Sequence, residues 1–296
     1  MKIYLLSPES VPMNPVLFPT FEKTFRERGH EFVGRVEDCD VVFFDFHTRV
    51  AEYNQYAVDW VSMRLVPVVT FDEWDRGGMS SEKWPNPITI QQLDIFSYKE
   101  GRRCVHFCRL LDKTQPRLSY LYPYEKPILF EEPIHTPDEL FNREFDIVWI
   151  ANTAPQREAL AKALREEPRL KCNIILGATK IPYHDWIAEH RKGKLFISCS
   201  AGGYSNECVQ SLFSVSGHLR ERTDQLLANP FTDLVNCIKT NAPPTKQDLD
   251  KIVDVVSSKE KLYDIYLKGY NHVKKYYSEE YMADYVLDIL AKNGIE

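Results

Sequence analysis

The residues best suited to chemistry lie between Phe196 and Gly217, where Ser200-Ala201-Gly202-Gly203 follows the apolar run Leu195–Ser198. Tyr204, Ser205 and Asn206 then lead into Val209, Leu212 and Phe213 at helical spacing. Ser and Asn are preferred at helix N-caps, so the pattern reads as strand, glycine turn, capped helix. Such a turn leaves the backbone N–H groups of Gly202 to Asn206 without helical partners, backed by the positive end of a helix dipole. That combination holds phosphate, although an ordinary strand-to-helix turn has the same spelling. A second chemical group is Asp72, which ends the apolar run Leu65–Phe71 ahead of the loop Asp72-Glu-Trp-Asp-Arg76-Gly-Gly78. A strand-end carboxylate serves either as a base or as a plain cap. The third feature is basic: Lys99, Arg102, Arg103, Arg109, Lys113, Arg117 and Lys126 outnumber Glu100, Asp112 and Glu125, with Phe107, Tyr120, Tyr122 and Tyr124 interleaved. This is the footprint of a nucleic-acid contact or of a solvated face over core aromatics.

Elements able to position these groups follow from the apolar patterning. Lys2–Leu6, Glu31–Gly34, Asp40–Phe46 and Leu65–Phe71 read as strands. Between them, Phe18, Phe21 and Phe25 recur at helical spacing up to Gly29. Val50 to Met63 reads as a helix burying Tyr53, Tyr56, Ala57, Trp60 and Val61. The order is that of a doubly wound parallel sheet, in which ligands sit beyond the carboxyl ends of strands. Pro133 to Arg143 reads as a linker. A second alternating unit follows: strand Phe145–Ile150, helix Gln156–Glu167, strand Cys172–Leu176, helix Ile181–His190 and strand Leu195–Ser198. The expected class is therefore α/β, two Rossmann-like domains facing a central cleft. Residues 1–137 form the acceptor side and 138–278 the nucleotide-sugar side, with the last helix, 279–296, returning to the first domain.

Composition narrows the class. The chain has 296 residues, 44% hydrophobic and 27% charged, with a net charge of −6. It can bury two cores, and it does not coat nucleic acid non-specifically. No apolar run approaches the ~20 residues of a membrane span. Met1 to Leu6 reads as a first strand and not as a secretion signal. Seven cysteines without framework spacing point to free thiols in a cytoplasmic setting. Cys104, His106 and Cys108 share one face of an extended segment, but no second pair completes a metal set, and no metal is expected.

Three segments carry a resemblance. Phe145-Asp-Ile-Val-Trp-Ile-Ala-Asn-Thr-Ala-Pro-Gln-Arg-Glu-Ala-Leu160 resembles the opening of the C-terminal domain in CgeB-like (spore-maturation type) transferases. It is also similar to that of the T-even phage DNA β-glucosyltransferase, and both have the GT-B glycosyltransferase fold. The segment from Asn206 to Leu219, followed by Arg220-Glu-Arg-Thr-Asp-Gln-Leu-Leu227, resembles the donor-binding helix and the charged stretch after it. Val69-Thr-Phe-Asp72 through Trp84-Pro85 resembles the phage segment that carries the catalytic base. The resemblance implies a metal-independent, inverting transferase with a nucleotide-sugar donor (a UDP-sugar) and no tightly bound cofactor. It implies Arg157 as the contact to the donor diphosphate, with Gly202, Gly203, Tyr204, Ser205, Asn206, Glu207, Gln210 and Arg220 around the donor, and Asp72 as base. The family's ribose-binding glutamate is matched here by Gln210, or by Leu212 if the glycine is aligned instead, with Glu207 one turn earlier. A phage-type acceptor, a hydroxymethyl-pyrimidine in double-stranded DNA, would be met by Arg76, Arg102, Arg103, Arg109 and Lys113. That chain would work in the host cytoplasm. A protein, glycan or small-molecule acceptor, and a non-catalytic nucleotide-binding module of the same fold, remain open alternatives.

Overall fold

The structure, a computed structural model, describes residues 1–6, 18–46, 54–72, 101–108, 111–112, 121–123, 130–177, 181–199, 212–222, 225–226 and 229–296. The chain divides into two compact units: residues 1–127, 224–228 and 279–296 in the first, and 128–223 with 229–278 in the second.

In the first unit, β1 (Lys2–Leu6), β2 (Glu31–Val33), β3 (Val41–Phe46), β4 (Val68–Asp72), β5 (Cys104–Cys108) and β7 (Leu121–Pro123) form a parallel sheet in the order β2-β1-β3-β4-β5-β7. β6 (Leu111–Asp112) pairs antiparallel with β12 (Gln225–Leu226) beside it. Both faces of the sheet are covered, which is why β3 reads as an unbroken apolar run. Val41 and Phe43 face α1 (Phe18–Glu27), whereas Val42 and Phe44 pack with Ala57 and Val61 of α2 (Gln55–Met63). The C-terminal helix α9 (Glu279–Lys292) belongs to this unit, as expected of the fold class: Met282, Ala283, Val286 and Leu290 join Phe25, Phe43, Phe71 and Phe107. Thr24 Oγ1 donates to Glu279 at 2.9 Å, tying α1 to α9. One expectation fails on α2. Tyr56 is not on the buried side but 62% exposed, its hydroxyl reaching Glu37. In the first turn of the helix the phenol points outward, where its hydroxyl finds a polar partner.

The second unit is a five-stranded parallel sheet in the order β13-β11-β10-β8-β9, where β8 is Phe145–Ala151, β9 Cys172–Leu176, β10 Gly193–Ser198, β11 Gly217–Glu221 and β13 Ile238–Thr240. Helices α4 (Pro155–Glu166), α7 (Lys246–Val256) and α8 (Lys259–Tyr276) cover one face through Leu160, Leu164, Ile252, Val255, Leu262 and Ile265. α5 (Tyr183–His190) follows β9 and α6 (Leu212–Val215) precedes β11. Two sequence expectations are corrected here. The segment read as a linker contains α3 (Pro137–Phe141), capped by Thr136, whose hydroxyl accepts from the N–H of Glu139. Thr-Pro-Asp-Glu is a helix start with Pro at the first position and acids in the first turn. Secondly, the donor helix read as far as Leu219 stops at Val215, and residues 217–221 are β11, between β13 and β10.

Tyr266 joins the pieces of this unit: its hydroxyl donates to the Ser214 carbonyl at 2.8 Å and accepts from the Ile134 N–H at 2.7 Å. Gly269 lets α8 lie against the backbone ahead of β13, because a Cβ there would stand 2.7 Å from the Asn236 carbonyl oxygen. Gly269→Ala gains about 1 kcal/mol of helix propensity but overpacks against main chain that cannot yield. The expected net loss is about 1–2 kcal/mol, read as a lower urea midpoint. An unchanged or higher midpoint would contradict this packing.

Candidate functional site

A doubly wound sheet opens a crevice where the strand order reverses, at the carboxyl ends. In the second unit β8 is followed on one side by β9 and on the other by β10, so the reversal lies between β8 and β10. Arg157, in the first turn of α4, spans it. Its Nε donates to the Cys199 carbonyl just past β10 at 3.1 Å, and its Nη1 to the Asn152 carbonyl just past β8 at 3.2 Å. Neither bond uses Nη2. The short link from β8 to α4 places Arg157 here. Ala154 caps the helix without a side-chain hydrogen bond, and Pro155 supplies the preset φ of its start. The residue is 5% exposed. Burial lowers the guanidinium pKa, while Cys199 and Glu221 push it up. An arginine remains cationic through the physiological range. A buried, doubly anchored guanidinium at a switch point, beside a helix N-terminus, is suited to an anion.

Glu221 was not singled out from sequence. Parallel pairing of Ser198 with Arg220 puts Cys199 beside Glu221 at the strand ends. Alternation then directs both to the face of Ile197 and Leu219, where α4 packs. The Cys199 thiol is pushed up by burial and by the Glu221 carboxylate, to which it is hydrogen-bonded. The pattern Gly217-His-Leu-Arg-Glu221, polar at alternate positions, was the signal for a strand.

Arg220 points to the opposite face. It is 3% exposed, with its guanidinium carbon 5.4 Å from the Phe231 ring centroid. It was expected as a donor contact or solvated surface; the structure instead buries it among aromatics, on the far side of the sheet from Arg157. Arg222 pairs with Asp233 at 3.0 Å. On Arg220's face His218 stacks on Phe196 at 4.8 Å and shares a 2.7 Å hydrogen bond between Nε2 and Ser198 Oγ. Burial, then Arg220, holds His218 well below its ordinary pKa. Burial likewise lowers His190 to about 4, despite its contact with the Trp186 carbonyl. Because these imidazoles are neutral when folded, the unfolded chain binds more protons below pH 6.5. Their contribution is complete above that pH and is lost as pH falls toward 4. His190 alone predicts a loss of about 2 kcal/mol between pH 7.5 and 5. Urea midpoints at the two pH values test this, and equal midpoints would contradict it.

Gly202, Gly203, Tyr204, Ser205, Asn206, Glu207 and Gln210 lie outside the described residues, as do Arg76, Arg109 and Lys113. Asp72 ends β4 between Phe46 of β3 and Cys108 of β5 in register, but its side chain is outside the described set. Arg102, expected as a nucleic-acid contact, is buried: its Nη2 donates to the carbonyls of Val61 and, at 2.6 Å, of Arg64, closing the C-terminus of α2. A helix end leaves carbonyls unpaired, and this guanidinium satisfies them. Arg103 donates to the Gly294 carbonyl just past α9. Among the described residues, no group of three or more His, Cys, Asp or Glu is arranged to hold a metal ion, and no helix is long and apolar enough to cross a membrane.

No family model and no curated protein matches the sequence. The fold, by contrast, is shared with solved structures. A sucrose-phosphate synthase from Thermosynechococcus elongatus aligns with a TM-score of 0.63 at 9% identity, over 99% of this chain and 98% of that one. Anabaena HepE, in complex with UDP and glucose, aligns at 0.59 and 9% identity over 99% and 100%. An alpha-glucosyltransferase in complex with UDP and a 13-mer DNA containing an HMU base aligns at 0.58 and 11% identity over 98% and 99%. The chain thus has the GT-B fold of these glycosyltransferases, at sequence identities that carry no more than the fold.

Proposed function

We propose that this protein is a metal-independent glycosyltransferase that moves a sugar from a UDP-sugar to an acceptor hydroxyl. The observation that carries this reading is Arg157, braced by two carbonyls across the switch point of the second unit. The UDP and UDP-glucose bound by HepE support the choice of donor. Arg157, with the N–H groups of Gly202 to Asn206, neutralises the diphosphate as it leaves. The anomeric carbon–oxygen bond breaks with its electron pair passing to the phosphate oxygen, and a bond forms from the acceptor oxygen. Asp72 takes the acceptor proton.

Two acceptors are weighed. DNA bearing a hydroxymethyl-pyrimidine is supported by the DNA-bound alpha-glucosyltransferase. A protein, glycan or small molecule is supported by the net charge of −6 and by the internal engagement of Arg102. The engagement of Arg102 favours the second. Thermal-shift and transfer assays over UDP, GDP, ADP and CDP and their sugar esters test the function. A ligand at 100 times its Kd stabilises by about 2.7 kcal/mol. Stabilisation with transfer supports an enzyme; stabilisation without transfer to any acceptor makes it a binding module; no stabilisation by any nucleotide removes the reading. Duplex binding that weakens as salt rises would restore the DNA acceptor.

A further inference from the structure

A carboxylate beside the arginine meant to hold a diphosphate demands an explanation, because it weakens the anion site it adjoins. Glu221 is fixed there. It ends the interior strand β11, lies in register beside Cys199, and shares with Cys199 the sheet face on which Arg157 is anchored. The Cys199 thiol hydrogen-bonds to the carboxylate, and the half-buried setting limits its screening by solvent. Arg157 does not need Glu221 for its placement, since two main-chain carbonyls already hold it. The charge of Glu221, which acts on the Arg157 guanidinium, acts also on an anion that Arg157 receives.

On the donor reading above, we infer that Glu221 is a specificity-determining residue that disfavours the free nucleoside diphosphate relative to the intact nucleotide sugar. In the sugar ester each phosphorus is linked once to carbon through oxygen and once to the other phosphorus, and each carries one charge. The product of transfer ends in a terminal phosphate whose second ionisation, like that of a phosphate monoester, lies near pH 6, so at pH 7.5 it carries almost one charge more. A fixed negative charge repels that extra charge without touching the sugar. It thereby speeds departure of the product and keeps it from occupying the donor site. The discrimination is electrostatic, so it belongs to the charge of residue 221 and not to its shape.

The test is calorimetric titration of UDP and UDP-glucose into the full-length wild type, Glu221→Gln and Glu221→Asp at pH 7.5. Glu221→Gln keeps the volume and hydrogen-bonding capacity, and equal melting temperatures check its fold. The expected result is UDP bound about tenfold more tightly and UDP-glucose about threefold more tightly by Glu221→Gln, with UDP a correspondingly stronger product inhibitor. Glu221→Asp, which retains the charge, should keep the wild-type ratio of the two affinities. An unchanged ratio in Glu221→Gln, or equal weakening of both ligands, overturns the inference while leaving the donor site standing. A wild type that binds neither ligand overturns the donor reading itself, and the role of Glu221 with it.

Discussion

Arg157→Ala is expected to weaken binding of a nucleoside diphosphate about 100-fold, and to reduce transfer at least as much. The substitution removes the one described cation at the switch point of the second sheet and leaves the Cys199 and Asn152 carbonyls without their donor. Some of the loss could come from unfolding, because the side chain is buried. Arg157→Lys separates the two effects. It restores a charge but not the planar fork that reaches both carbonyls and still presents Nη2. About tenfold of the affinity should remain missing in the lysine variant, by the energy of one charge-assisted hydrogen bond. Titration of UDP with each folded variant reads the result. Equal affinities in wild type and both variants would remove Arg157 from the site.

The second large effect is on chemistry. Asp72→Asn is expected to lower kcat by about 10²–10⁴ with donor affinity unchanged, since the amide cannot accept the acceptor's proton. Single-turnover transfer measured beside donor titration separates the two. The same assignment fixes the stereochemistry: direct displacement aided by one base inverts the anomeric centre, so an α-linked donor gives a β-linked product. A retained configuration, or full activity in Asp72→Asn, would take the base role from Asp72.

Much of the architecture was legible because its strands are buried on both faces. Asp40-Val-Val-Phe-Phe-Asp-Phe46 has few other solutions than a central parallel strand, and β3 indeed lies between β1 and β4. Arg157 was singled out through a resemblance of the Phe145–Leu160 segment, which says nothing of its anchoring. The two carbonyls that hold it belong to Asn152 and Cys199, the latter 42 positions from Arg157, and only the sheet order makes them neighbours. β11 was misread for a physical reason. Its His218 and Arg220 look like solvent-facing residues, yet Phe196, Phe213 and Phe231 build an aromatic layer that accepts a neutral imidazole and a guanidinium face. Arg102 was misread likewise: a basic, aromatic-rich stretch has the spelling of a nucleic-acid surface, but this guanidinium answers the unpaired carbonyls of a helix end. Glu221 escaped notice because its meaning depends on a register between strands, which no local pattern encodes.

The most direct test is calorimetric titration of the wild type with UDP and with uridine at matched concentrations. A diphosphate site at Arg157, as proposed, predicts that UDP binds and uridine, lacking the phosphates, binds at least 100-fold more weakly or not at all, as expected when charge-assisted contacts are lost. Failure of UDP and of the other nucleoside diphosphates to bind, or equal binding of UDP and uridine, would contradict it.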